Sequence, residues 1–233
     1  MVFGRTENLK KLLFISDFNR ISLTNYNCWS CKKELTEKES KLQFCPCEIN
    51  TILPVNNKIN YFELFNINME YNVDVKLLTK NFRQLMKKLH PDLFTLKSDL
   101  EKKFSAEQSS LVNKAYDTLK SPIKRGVYML DLIDPHFNAE AIETHESDAE
   151  KRLILMEILE LNEIIDEIKQ PKEVEELAER LEEIMRPFED ELEDAFSQKN
   201  YKKAISVVSK MRYFKNVDER LKDLQLKFNI QNV

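Results

Sequence analysis

Residues 74–92 read DVKLLTKNFRQLMKKLHPD, and this stretch decides the fold. Val75, Leu78, Phe82, Leu85 and Leu89 recur at helical spacing, which marks one apolar face of an amphipathic helix. Asp74 stands where a helix N-cap is needed, so the spacing predicts a helix from Asp74 to Leu89. Lys76, Lys80, Arg83 and Lys87 make its other side basic. Pro91 has no N–H to donate and its ring meets the preceding turn, so His90-Pro91-Asp92 must leave the helix as a loop. Beyond the loop, Phe104, Leu111, Ala115 and Leu119 mark a second helix, from about Leu100 to Leu119, expected to face the first. Ser121-Pro122 then opens a further short helix, Pro being favoured in a first turn.

Composition agrees with a mainly α chain. The 233 residues are 33% charged and 42% hydrophobic but include only two glycines, Gly4 and Gly126. That excludes the phosphate-cradling loops and nucleophile elbows that need glycine where the backbone turns sharply or approaches a ligand. A net charge of −4 provides no basic field for nucleic acid, and no apolar run is long enough to span a membrane. The charge is unevenly spread: the chain is acidic from Ala139 to Gln198 and basic from Asn200 to Phe228, so these stretches are expected to pair as neighbouring helices. The leader, residues 1–26, carries Arg5, Lys10, Lys11 and Arg20 among apolar residues, as an amphipathic transit peptide does, although Glu7 and Asp17 also suit a disordered leader. The mitochondrial matrix is the expected compartment, and the cytoplasm the alternative.

Three blocks follow the leader. A Cys-rich module is expected over 27–50, a compact helical domain over 58–133, and a helical domain over 139–230, with Asp134-Pro135 at the second boundary. In the last block three apolar stripes stand out: Ile154, Ile158, Leu161, Ile165 and Ile168; Val174, Leu177, Leu181, Ile184, Phe188 and Leu192; and Ala204, Val207, Met211, Phe214 and Leu221. Short connections between them predict an antiparallel three-helix bundle. Pro187 predicts a kink or break near Arg186. All four cysteines lie in two pairs, Cys28 with Cys31 and Cys45 with Cys47, a spacing that suits tetrahedral Zn²⁺ held by thiolates. Two disulfides, or a redox pair at Cys28 and Cys31, are the rival uses.

A basic helix, a His-Pro-Asp loop and a second helix containing Asn113-Lys114-Ala115-Tyr116 together resemble a J domain, and Tyr61-Phe62-Glu63-Leu64-Phe65 resembles its short first helix. Outside the J domain, NKAYDTLKSPIKRGVYML (113–130), LMEILELNEIIDEI (155–168) and KMRYF (210–214) are similar to the HscB family, J-proteins of iron–sulfur cluster assembly. The resemblance implies an L-shaped all-α protein without enzymatic activity of its own. His90, Pro91 and Asp92, with Lys76, Lys80, Arg83 and Lys87, would engage a DnaK-type chaperone and accelerate its ATP hydrolysis. The C-terminal bundle would bind the scaffold protein on which clusters are built. The Cys segment resembles the N-terminal module of eukaryotic relatives, but its second pair is Cys-x-Cys where the family has Cys-x-x-Cys.

Helix geometry alone marks a client surface. At about 100° per residue, Leu155, Met156 and Leu159 fall away from the core stripe of their helix, flanked by Glu160 and Glu163, as an apolar centre with a charged rim. Burial against the J domain or the leader is the other reading. The HscB resemblance favours scaffold contact and adds Tyr213. The alternative functions are a metalloenzyme using His90 and Asp92 with His136 or His145, a general J-protein for unfolded clients, and a coiled-coil adaptor; a homodimer is also compatible with the sequence.

Overall fold

A computed structural model of the protein describes residues 26–134 and 148–229. The leader, Pro135, His136, His145 and the start of the last block lie outside the described residues. Two short strands, β1 (Tyr26–Asn27) and β2 (Glu34–Leu35), pair antiparallel with Tyr26 opposite Leu35. They are followed by helices α1 (Tyr61–Leu64), α2 (Val75–Leu89), α3 (Asp99–Lys120), α4 (Pro122–Ile133), α5 (Asp148–Glu167), α6 (Pro171–Ser197), α7 (Tyr201–Arg212) and α8 (Lys215–Lys227). Among the described residues no helix is long and apolar enough to cross a membrane.

The helix starts follow local chemistry. Asp74 Oδ1 accepts from the N–H groups of Lys76 and Leu77, as expected of the N-cap of α2. Ser98 and Glu101 exchange hydrogen bonds at the head of α3, a capping box that the sequence reading missed. Gln170 and Glu173 do the same for α6, with Pro171 in the first turn.

Packing divides the chain into two compact units that cut across the blocks marked by sequence, and α2 and α3 each run through both. The first joins the Cys segment to Met86–Leu111; the second holds Tyr61–Leu85 and the described residues from Val112 onward. In the first unit, Cys28, Leu35, Cys45 and Leu53 form a small buried cluster, and Trp29 meets Phe104 edge to face at 5.9 Å. Phe104, assigned by its periodicity to the α2 face, also meets the Cys segment.

In the second unit, α1 is held to α4 by stacking of Tyr61 on Tyr128 at 4.2 Å and by the Tyr61 N–H, which donates to the Tyr128 hydroxyl. Phe82 of α2 stacks on Tyr116 of α3 at 4.2 Å. The α5, α6 and α7–α8 segments form the expected bundle around Leu161, Val174, Leu177, Leu192, Val207, Met211 and Leu221. Two details refine the expectation. Helix α6 continues through Pro187 without a break: Glu183, whose carbonyl loses its partner, and Pro187 are both exposed, so water can replace the missing bond while Leu181, Met185 and Leu192 hold the helix from its buried side. The third stripe spans two helices, because the N–H groups of Tyr213 and Phe214 bond three residues back and tighten the chain there.

Helix α4 meets the bundle at Gly126. A Cβ at this position would lie 2.9 Å from Leu192 Cδ2 and 3.1 Å from Val208 Cγ2, on side chains that are themselves fully buried. Beside it the buried Arg125 donates from Nη1 to the Leu119 carbonyl at 2.7 Å and lies 4.7 Å from the Tyr71 ring centre. Gly126→Ala should gain about 1 kcal/mol of helix preference and lose about 1–3 kcal/mol to overpacking. The expected outcome is a lower urea midpoint, whereas a higher one would show that Leu192 and Val208 can move aside.

Candidate functional site

His90-Pro91-Asp92 begins a single 3₁₀ turn, Pro91–Phe94, directly after α2. The turn is built by backbone bonds, His90 N–H to Met86 O and Leu93 N–H to His90 O, both at 3.0 Å. The Asp92 N–H donates to His90 Nδ1 at 3.3 Å, and the same nitrogen lies 3.4 Å from the Asp92 carboxylate. Both side chains are exposed, while Phe94 is buried and anchors the end of the turn. Lys76, Lys80, Arg83 and Lys87 are all exposed, within an arc of about 60° on α2.

The end of α2 creates a specific demand. Pro91 stops the helix, so the last carbonyls of α2 lose their helical donors, and the Leu89 carbonyl belongs to a fully buried residue. Two buried hydroxyls on α3 supply the partners. Ser105 donates to Leu89 O at 2.7 Å, and Ser109 lies 2.9 Å from the same oxygen while also reaching the Ser105 carbonyl.

In the Cys segment the Sγ atoms of Cys28, Cys31 and Cys45 lie within 4.8 Å of one another, and Cys47 packs against the buried cluster that contains Cys28 and Cys45. Two tight turns bring them together. In the first, the Cys28 N–H bonds to Lys33 O with Lys32 at positive φ; in the second, the Cys45 N–H bonds to Thr51 O with Asn50 at positive φ. None of the four is disulfide-bonded. Cys31 and Cys45 sulfurs are 3.7 Å apart, far beyond a disulfide bond but close to the separation of about 3.8 Å between thiolates around a tetrahedral zinc with bonds of about 2.3 Å. Burial together with the neighbouring thiols pushes Cys45 up to about 12. Burial also disfavours the Cys47 thiolate, but hydrogen bonds from Cys45, Cys31 and the Asn50 and Thr51 backbone outweigh it and leave that thiol at about 7. A divalent cation would favour the thiolate form at all four positions, Cys45 included. The donor set therefore fits a metal even with the shortened second pair.

On α5, Leu155, Met156 and Leu159 are 46%, 68% and 62% exposed, and Glu160 and Glu163 are exposed beside them. Leu153, 68% exposed, adjoins this face and was missed from sequence, although its angle around the helix places it away from Leu161 and Ile165. Arg180 of α6 pairs with both Glu157 and Glu160. Lys210 reaches Glu150, and Arg220 reaches Asn162 and Asp166, so the α7–α8 junction bearing the half-buried Tyr213 runs beside the stretch of α5 that carries the patch.

Comparison with known proteins gives a consistent result. Residues 60–128 match the DnaJ domain, and residues 150–222 match the HSCB C-terminal oligomerisation domain. The iron–sulfur cluster co-chaperone protein HscB of Mus musculus is 34% identical over 197 residues, which are 84% of this chain and 81% of that protein. The crystal structure of human co-chaperone protein HscB superposes with a TM-score of 0.63 at 32% identity, covering 87% of this chain and all of the other. HscB from Vibrio cholerae is similar at 26% identity with a TM-score of 0.50, over 72% of this chain and 99% of its own. The chain belongs to the HscB family of iron–sulfur cluster co-chaperones.

As an HscB protein it is a J-domain co-chaperone and not an enzyme. The hydroxyl pair on α3 was not found in the sequence reading of this HscB chain. Its signal was the row Ser105, Gln108 and Ser109, polar residues at helical spacing on a face that is otherwise apolar, which is unusual unless each has a buried partner. Ser105→Ala should cost about 1 kcal/mol, since Ser109 can still serve the Leu89 carbonyl. Changing both to Ala leaves that carbonyl bare and should cost about 1–3 kcal/mol more, measured by chemical denaturation.

Proposed function

We propose that this HscB protein stimulates the ATPase of a DnaK-type chaperone through its His90-Pro91-Asp92 turn and presents an iron–sulfur scaffold protein to that chaperone on its C-terminal helices. The observation that supports the reading most is the exposed His-Pro-Asp turn at the end of a helix with one continuous basic face. Lys76, Lys80, Arg83 and Lys87 supply long-range attraction to an acidic surface of the partner's ATPase domain. The short turn, stiffened by Pro91 and anchored by Phe94, then makes the contact that biases the partner toward its hydrolysing conformation, a coupling between binding and a distant reaction. His90 and Asp92 act in this account as shape and hydrogen-bonding groups and transfer no proton.

The scaffold is proposed to dock on Leu155, Met156 and Leu159, with Glu160, Glu163 and Tyr213 at the rim. An apolar centre of this kind supplies most of the binding energy, while the charged rim sets orientation. The leader's basic, amphipathic sequence supports work in the mitochondrial matrix. Cys28, Cys31, Cys45 and Cys47 are proposed to hold one Zn²⁺ as thiolates, which would contribute folding free energy to a segment too small to fold on apolar burial alone.

Two experiments test this. In one, steady-state ATP hydrolysis by the partner and scaffold affinity are measured on the same preparations. His90→Gln should abolish stimulation and retain scaffold binding; Leu155, Met156 and Leu159 changed together to Ala should do the reverse, weakening scaffold binding about 10-fold or more. Full stimulation by folded His90→Gln would remove the first half of the proposal. Normal scaffold binding by the triple variant, with altered self-association instead, would reassign the α5 face to a homodimer. In the second, metal analysis of protein purified without chelator should find about one zinc per chain, and its removal should change the fluorescence of Trp29, the single tryptophan. Four freely titratable thiols on a metal-free protein would exclude the site.

A further inference from the structure

The exposed His90-Pro91-Asp92 turn makes few contacts of its own, so its geometry depends on what holds Leu89 and Phe94. Leu89 is held by Ser105 and Ser109 of α3. The same stretch of α3 is gripped from a second direction: Phe104 and Gln108 lie about 100° around the helix from the two serines. Phe104 meets the edge of Trp29, and Gln108 Nε2 donates to the buried Leu53 carbonyl at 3.0 Å. The neighbouring Ile52 carbonyl accepts from Trp29 Nε1 at 2.7 Å. One extended segment, Ile52-Leu53, therefore ties the indole to α3, and both of its residues are buried. Trp29 sits between Cys28 and Cys31, and Leu53 packs into the cluster formed by Cys28 and Cys45. Contacts thus run without a gap from the cysteines through Trp29 and Leu53 to α3, and through its serines to the residue before His90.

We propose that the Cys segment is an internal buttress for the His-Pro-Asp turn and that Trp29 and Gln108 are its positioning residues. They act on the partner only through the turn, and the proposal rests on the ATPase-stimulating role given to that turn above. Physically, the buttress raises the fraction of molecules in which the end of α2 and the turn are ordered. If only a fraction f is competent, the apparent affinity for the partner falls by that fraction, while the fully bound complex is unchanged. Loss of the buttress should therefore raise the co-chaperone concentration needed for half-maximal stimulation and leave the plateau intact. That separates a positioning role from loss of a contact group such as His90, which removes the plateau.

The test uses full-length Trp29→Ala, Trp29→Phe and Gln108→Met, with His90→Gln as reference. Gln108→Met leaves Trp29 and all four cysteines in place, so it reports on the buttress even if Trp29→Ala disturbs the Cys segment. Trp29→Ala and Gln108→Met should raise the half-maximal concentration about 3-fold or more at an unchanged plateau. Trp29→Phe, which retains a ring against Phe104, should recover most of the loss. Amide hydrogen exchange over residues 86–94 should quicken in the two impaired variants and remain unchanged over 150–227. This second readout decides the buttress independently: an unstimulated partner with wild-type protein would defeat the proposed function, whereas wild-type exchange in folded Gln108→Met and Trp29→Ala would overturn the buttress. A lowered plateau without faster exchange would also overturn it, because it would make these residues part of the contact surface.

Discussion

The Leu89 carbonyl is the constraint around which the described site is organised. Pro91 ends α2 at a point where the chain is still buried, and a buried carbonyl without a donor costs on the order of 1–3 kcal/mol. Ser105 and Ser109 remove that cost, and in doing so they set the register of α3 against α2. The exposed His-Pro-Asp turn can then carry a recognition surface without supplying its own stability. An interaction loop placed on a rigid support in this way has freedom to present His90 and Asp92 to a partner.

The two proposed binding surfaces are held by different physics. The turn depends on buried hydrogen bonds that leave little geometric slack. The α5 face depends on a conventional apolar bundle, in which Leu161 and Ile165 face inward and Leu155, Met156 and Leu159 are left over on the outside. Ion pairs such as Arg180 with Glu157 and Glu160 decorate that bundle, but they are solvent-accessible and each contributes well under about 1 kcal/mol. Removal of the apolar residues should therefore matter far more to binding than removal of the rim charges, whose effect falls mainly on orientation and rate.

The Cys segment shows how a small piece of chain becomes structured. Its two strands have two residues each, and among the described residues its buried cluster is Cys28, Leu35, Cys45 and Leu53, with Tyr26, Trp29, Cys31 and Cys47 packed against it. Apolar burial on that scale cannot offset the backbone entropy of ordering the residues around it, at about 1–2 kcal/mol per residue. Docking of Trp29 and Leu53 on α3 is one further support, and the cation proposed for the converging thiols would be a second. The segment is consequently packed with part of the J domain in one compact unit.

Much of this was legible in the sequence, for identifiable reasons. Helical periodicity located α2, α3 and the bundle; Pro91 located the turn; Asp74 located a cap; and the angle of Leu155, Met156 and Leu159 around α5 placed them outside the core. These are local properties, set by 3.6 residues per turn and by the chemistry of single side chains. Other features depended on which distant residues meet. Periodicity showed that Phe104 lies on an apolar face but not that Trp29 covers it, and of the kink or break expected near Arg186 the structure rules out the break, because the buried side of the helix holds it intact. The serines that serve Leu89 are 16 and 20 residues away from it, and Gln108 is 55 residues from Leu53. The sequence by itself determined most of the elements and the stop at Pro91, because those outcomes follow from neighbours along the chain. Only the tertiary structure decided what each buried polar group bonds to, because a donor and acceptor far apart in sequence become partners when packing excludes water from both.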